Sequence, residues 1–143
     1  MLDIDTILFP TDFSSVAEGA FAHAAHLALR YDATIHVFNV VAPDADDGEN
    51  PMDFLPVEPV EGGNVDSAAA QRVEVKTATQ ERGTVSVVYA QTDSDSPAKA
   101  IVDHASEHDV DLVVMGTHGR QGVDRLLSGS VAEQVVRLAP CPV

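Results

Sequence analysis

A chain of 143 residues with 23 acidic against 8 basic side chains carries a net charge of −15, which repels nucleic acid and anionic membranes and makes neither an expected partner. Apolar residues make up 45% of it, enough for one globular core, and no apolar run approaches the roughly 20 residues that span a bilayer. The start, Met1-Leu2-Asp3-Ile4-Asp5, lacks the basic region of a signal peptide, and Cys141 is the single cysteine; no internal disulfide is possible, and a cytoplasmic location is expected.

Two readings of the acidity stand: an acidic partner-binding surface, or adaptation to a salty, halophilic cytoplasm. The acids are spread over most of the chain, which favours the second. At molar salt the Debye length is roughly 3 Å, so self-repulsion is largely screened.

Short β-branched apolar runs alternate with helix-like segments along the chain, the βαβ signature of a parallel sheet. Ile4–Phe9 reads as a first strand stopped by Pro10. Ser14 or Ser15 is placed to cap a helix running to about Tyr31, with Val16, Ala17, Ala20, Phe21, Ala24, Leu27 and Ala28 on one face. Thr34–Val41 is a second strand. Residues 43–64 then break the pattern with four prolines, three glycines and seven acids; an acidic loop is expected there, either covering a site or disordered.

Asp66–Arg82 is expected to be helical, capped by Asp66 and closed at Gly83, although Val73-Glu74-Val75 weakens the helical period. Val85–Ala90 is a third strand. Ser96-Pro97 sets a cap and an N1 proline at the head of a helix reaching about His108. Asp111–Met115 is a fourth strand that runs straight into glycine, and Val131–Leu138 is a last helix ended by Pro140. With no internal repeat, residues 1–143 are read as a single domain.

The informative stretch is Gly116-Thr117-His118-Gly119, nine further residues, then Gly129-Ser130-Val131. It follows a buried-type strand and opens a helix. A helix N-terminus leaves backbone N–H groups unpaired and carries partial positive charge, so it favours phosphate. Glycines let the backbone approach a ligand without Cβ interference. In a doubly wound sheet the ligand crevice lies at the carboxyl ends of the strands, where Asp12 would also point. No Lys follows the glycines, so this is not a Walker A loop, nor is it the G-x-G-x-x-G fingerprint. Other readings stay open: Gly116 and Gly119 as a tight turn, Ser130 and Asp12 as helix caps, and Arg120 and Arg125 as partners of phosphate or of neighbouring carboxylates.

The spacing resembles the glycine signature of the ATP-binding branch of the universal stress protein family. Ile7-Leu8-Phe9-Pro10-Thr11-Asp12-Phe13-Ser14 is similar to that family's first strand and turn, and Pro140-Cys141-Pro142-Val143 to its closing segment. The resemblance covers nearly the whole chain. It implies an α/β three-layer sandwich: a five-stranded parallel open sheet with helices on both faces, Rossmann-like, of the adenine nucleotide alpha hydrolase kind. Carried over by position, Pro10, Thr11 and Asp12 would line the adenosine end, with Val40 or Val41 beside the adenine. Met115 and Gly116 would continue that wall. His118, Gly119, Gly129, Ser130, Val131 and Ala132 would follow the phosphates. ATP, or AMP or ADP, is the implied ligand, and any Mg²⁺ or Mn²⁺ would ride on the phosphates.

The function expected is that of a stress-response module whose loop order or dimer state responds to nucleotide. The competing readings are a nucleotide-free dimeric scaffold and a slow ATPase or phosphotransfer protein. No base, cation cage or P-loop lysine marks fast phosphoryl transfer. Family members pair through a strand after the Pro-Cys-Pro-Val-like segment, where this sequence stops at Val143; a homodimer is still expected. His104-Ala-Ser-Glu107-His108 matches the H-x-x-E-H order of inverted zinc peptidases, but a third ligand is not evident, and the neighbouring Asp103, Asp109 and Asp111 read as a solvated acidic helix end.

Overall fold

A computed structural model describes residues 3–11, 15–41, 59–61, 70–77, 79–116 and 129–143. In chain order the elements are β1 (Thr6–Pro10), α1 (Ser15–Tyr31), β2 (Thr34–Val41), β3 (Pro59–Glu61), β4 (Gln71–Lys76), β5 (Arg82–Asp93), α2 (Pro97–Glu107), β6 (Leu112–Val113) and α3 (Gly129–Leu138). Among the described residues, six strand segments fill five positions across one open, mostly parallel sheet. The order is β5-β2-β1-β6, with β3 and β4 sharing the outer edge of β5.

Side-chain alternation along the strands makes the three layers. Ile7 and Phe9 of β1, Ile35 and Val37 of β2, and Val85, Val87 and Tyr89 of β5 join Phe21, Ala24, Ala25 and Ala28 of α1 in one buried cluster. Leu8, Phe38, Val40, Val88 and Ala90 point the other way. They meet Ala98, Ile101 and Ala105 of α2 and Val131 and Val135 of α3 in a second cluster. A strand whose side chains alternate between two covered faces reads as a nearly continuous apolar run, which explains Ile7-Leu8-Phe9 and Val87-Val88-Tyr89-Ala90.

The first strand enters the sheet on a carboxylate. Asp111 Oδ2 accepts from the backbone N–H groups of Asp5 and Thr6 at 2.9 and 3.0 Å, and its own N–H donates to Thr6 O at 2.9 Å. The residue expected at a solvated helix end therefore ties β1 to β6. Helix α2 starts at Pro97 behind Ser96, as the sequence suggests, yet the Ser96 hydroxyl makes no capping bond. Instead Ser94 Oγ accepts from Ser96 N–H at 3.0 Å.

The largest correction falls on the segment expected to be helical from Asp66 to Arg82. Gln71–Lys76 is a strand running antiparallel to β5, from Gln71 opposite Val87 to Lys76 opposite Arg82. The weakened period noted at Val73-Glu74-Val75 is a period of two: Val73 and Val75 are buried, while Arg72, Glu74 and Lys76 face out. Arg72 adds side-chain bonds across the pair, to Ser86 Oγ at 2.8 Å and Thr84 O at 3.0 Å. Gly83, expected to stop a helix, lies within β5 under α1, where a Cβ would come within 2.6 Å of Leu29 Cδ2. Pro59–Glu61, expected to be loop, runs parallel to Tyr89–Gln91; the rest of that loop lies outside the described residues.

Candidate functional site

Strand order locates the crevice. From β1 the chain steps outward to β2 and then to β5, and returns through α2 to β6 on the other side of β1. The order therefore reverses between β1 and β6, and in open α/β sheets ligands bind outside the carboxyl ends of the strands at such a switch point.

The register gives that crevice its shape. Pro10, the last residue of β1, lies opposite Phe38 of β2, and Thr11 N–H donates to Phe38 O at 3.0 Å. Strand β2 continues to Val41, paired with β5 through Val40 opposite Thr92 and Val41 opposite Asp93. Strands β2 and β5 thus outrun β1, leaving a step above its end. On the other side Leu8 lies opposite Val113, and Val114 N–H donates to Leu8 O at 2.9 Å. Continuing that register sets Met115 and Gly116 level with Pro10 and Thr11.

At the end of β1, Pro10 is buried and Thr11 is 2% exposed. Val40 and Val131 belong to the buried cluster against which Met115 packs, and Ala132, next to Val131 in the chain, is buried. Val41 and Gly116 are half-buried. The carbonyl of Val41 accepts from Ser94 N–H at 2.9 Å. Gly129 and Ser130 open α3 two residues earlier than expected, so the backbone N–H groups of Gly129–Ala132 are the first-turn donors that have no partner within the helix. Asp12, His118 and Gly119, like Arg120 and Arg125, lie outside the described residues.

Sequence reasoning singled out His104 and His108 but missed the partner that β2 brings to them. His36 stands on the same face of β2 as Phe38 and meets α2, where its Nδ1 lies 3.3 Å from His104 Nε2. His104 stacks on His108 with ring centroids 4.1 Å apart and lies 4.4 Å from the Phe38 ring. His108 Nδ1 is 3.0 Å from His104 O and donates to it. Burial, then His108 and His36, drive the pKa of His104 down to about 3. The alternation of β2 would have revealed which way His36 faces, but not what it meets. Among the described residues no group of three His, Cys, Asp or Glu side chains is arranged to hold a metal ion, nor is any helix long and apolar enough to cross a membrane.

A parallel sheet reversed at β1, with α1 on one face and α2 and α3 on the other, defines an α/β protein of the doubly wound class. The sequence model of the universal stress protein family matches residues 3–143, and the chain belongs to that family. It is 33% identical over 141 residues to a universal stress protein of Methanocaldococcus jannaschii, covering 96% of this chain and 78% of the relative. It is also 33% identical over 148 residues to a putative universal stress protein of Staphylococcus haemolyticus, covering 100% and 84%. In structure it resembles UspA of Lactobacillus plantarum, with a TM-score of 0.63 at 23% identity over 99% of this chain and 96% of that one. A universal stress protein solved in complex with cAMP gives a TM-score of 0.59 at 20% identity over 99% and 94%.

Proposed function

We propose that this chain belongs to the ATP-binding branch of its family and acts as a nucleotide-responsive stress module. The observation that carries the reading is the step at the switch point: β2 and β5 outrun β1 beside Met115 and Gly116, in a chain whose next described helix is Gly129–Leu138, where a helix's first-turn amides have no partner within the helix itself. The adenosine end would rest on Pro10 and Thr11, with Asp12 as carboxylate acceptor and Val40, Val41 and Met115 as the apolar wall. The phosphates would follow Gly116, His118, Gly119, Gly129, Ser130, Val131 and Ala132, where oriented N–H groups and a helix N-terminus favour negative charge. The complex of a structural neighbour with cAMP agrees with an adenine nucleotide as the ligand class. Mg²⁺ or Mn²⁺ would arrive on the phosphates. ATP turnover would be slow, because the sequence offers no evident base and no P-loop lysine.

Equilibrium dialysis with radiolabelled ATP at high KCl tests the reading. Saturable binding, competed by AMP or ADP, is the expected result. No binding at millimolar ATP would overturn it.

The same reading holds the protein to be a cytoplasmic homodimer from a saline cell. Pro142 O accepts from Val113 N–H at 2.9 Å, so the closing segment already lies along the outer edge of β6, where the family's pairing strand would follow. The net charge of −15 should make the fold salt-dependent. Circular dichroism in a KCl series should show loss of helix signal in dilute buffer and recovery toward molar salt. A signal independent of KCl would remove the halophile assignment.

A further inference from the structure

The histidines that join β2 to α2 lie next to the carboxyl end of β2, His104 packing on Phe38 at 4.4 Å. His36 and His104 are 9% and 3% exposed and come from positions 68 residues apart in the chain. Their facing nitrogens, 3.3 Å apart, make a hydrogen bond only while one carries a proton and the other does not. A second proton between them would set N–H against N–H. A proton on the far nitrogen of either ring would instead leave a buried imidazolium, His36 being 9% exposed and His104 lying between Phe38 at 4.4 Å and the His108 ring at 4.1 Å. Neither arrangement suits a buried position, so an acidified seam relieves itself by opening.

Among the described residues, the nearby charges do not offset the burial of His104. From β2 the facing titratable group is His36 itself, and from the end of β5 it is Asp93. From α2 the groups are Lys99, Asp103, Glu107 and His108; Lys99 Nζ is already paired with Asp103 at 2.8 Å. Helix α3 meets this cluster through the apolar Val131 and Val135, and its Glu133 and Arg137 pair with each other at the surface, 3.0 Å apart. Asp93, Lys99, Asp103 and Glu107 line a groove of about 290 Å³ that reaches His104 and Phe38. An imidazolium that left the seam would enter that groove, among water and carboxylates.

We propose that His36, His104 and His108 form an acid-sensitive latch that holds α2 on the sheet near neutral pH and releases it on acidification. The latch holds whether or not the crevice binds nucleotide. The released element leads through Val110, whose N–H donates to Ala105 O at 3.0 Å, into β6 and on to Met115 and Gly116.

The size of the effect follows from proton linkage. A histidine that takes up a proton in the open state near its ordinary pKa of 6.5, and none in the closed state, raises the opening equilibrium about thirty-fold between pH 8 and pH 5. Hydrogen–deuterium exchange of the α2 amides, corrected for intrinsic exchange, reads this directly, with the α1 amides as an internal reference. The expected result is a rise of about thirty-fold in α2 opening with no matching rise in α1. In H104Q the α2 rise should fall to a few-fold at most; H104F, which keeps a neutral ring against Phe38, serves if H104Q does not fold. An α2 opening that ignores pH would overturn the latch, as would a rise shared equally by α1 or one kept unchanged in the variant.

Discussion

The stability curves of the wild-type protein and the His104→Gln variant should cross as pH falls. The imidazole of His104 has an ordinary pKa of 6.5 and is held at about 3 in the fold, chiefly by burial and then by His108 and His36. A base with a depressed folded pKa is protonated first in the unfolded chain. Its neutral burial therefore contributes fully above pH 6.5, and that contribution is lost progressively as pH falls toward 3, at about 1.4 kcal/mol per pH unit. By pH 4 the loss is about 3 kcal/mol, a large share of a domain's stability of roughly 5–15 kcal/mol. The glutamine variant gives up packing and a buried hydrogen bond, about 1–2 kcal/mol at pH 7.5, but carries no such acid penalty.

The 23 carboxylates complicate the absolute curves. Their protonation near pH 4 relieves the self-repulsion of a strongly acidic chain, which acts in the opposite direction. The difference between the two proteins removes that shared part. Urea unfolding at pH 7.5, 5.5 and 4 should place the wild type above the variant at the first pH and below it at the last. Parallel curves would show that His104 is not buried neutral in the folded state.

Phe9→Ala should destabilise the fold by about 3–5 kcal/mol. Phe9 is 0% exposed, lies opposite Val37 in the β1–β2 register, and meets Phe21 of α1 edge to face with ring centroids 5.3 Å apart. Removing the ring forfeits the apolar transfer, the aromatic pair and the close packing between sheet and helix. It also hollows the core directly beneath Pro10 and Thr11. Tyr31→Ala, at a residue 39% exposed at the end of α1, is the contrasting surface change and should stay within about 0.5 kcal/mol. Chemical denaturation of the three proteins checks both numbers, and a Phe9→Ala loss below about 1 kcal/mol would contradict the packing described.

Some of this architecture is legible from residue order alone. Helix α1 declares itself through small and apolar residues at 3.6-residue spacing, and β2 through an apolar run closed by Pro43. Ser96-Pro97 marks the start of α2 because proline suits only a helix's first turn. In each, the local pattern and the final environment agree. Gln71–Lys76 shows where that agreement fails. Its valines two apart weakly suit either element, and the deciding partner is the open edge of β5, whose backbone groups gain from a strand but not from a helix. That edge is formed by Val85 and its neighbours, which no window around Val73 contains.

Composition, periodicity and glycine spacing by themselves settled the α/β class and pointed to the family, because they act within a few turns of chain or along a single motif. Tertiary structure alone decided three things: the antiparallel edge at β4, the step left where β2 and β5 outrun β1, and the meeting of His36 with His104. Each depends on strand order, register and a helix laid across neighbouring strands. Those are relations between distant segments, chosen by which backbone edges pair and which apolar faces close on one another.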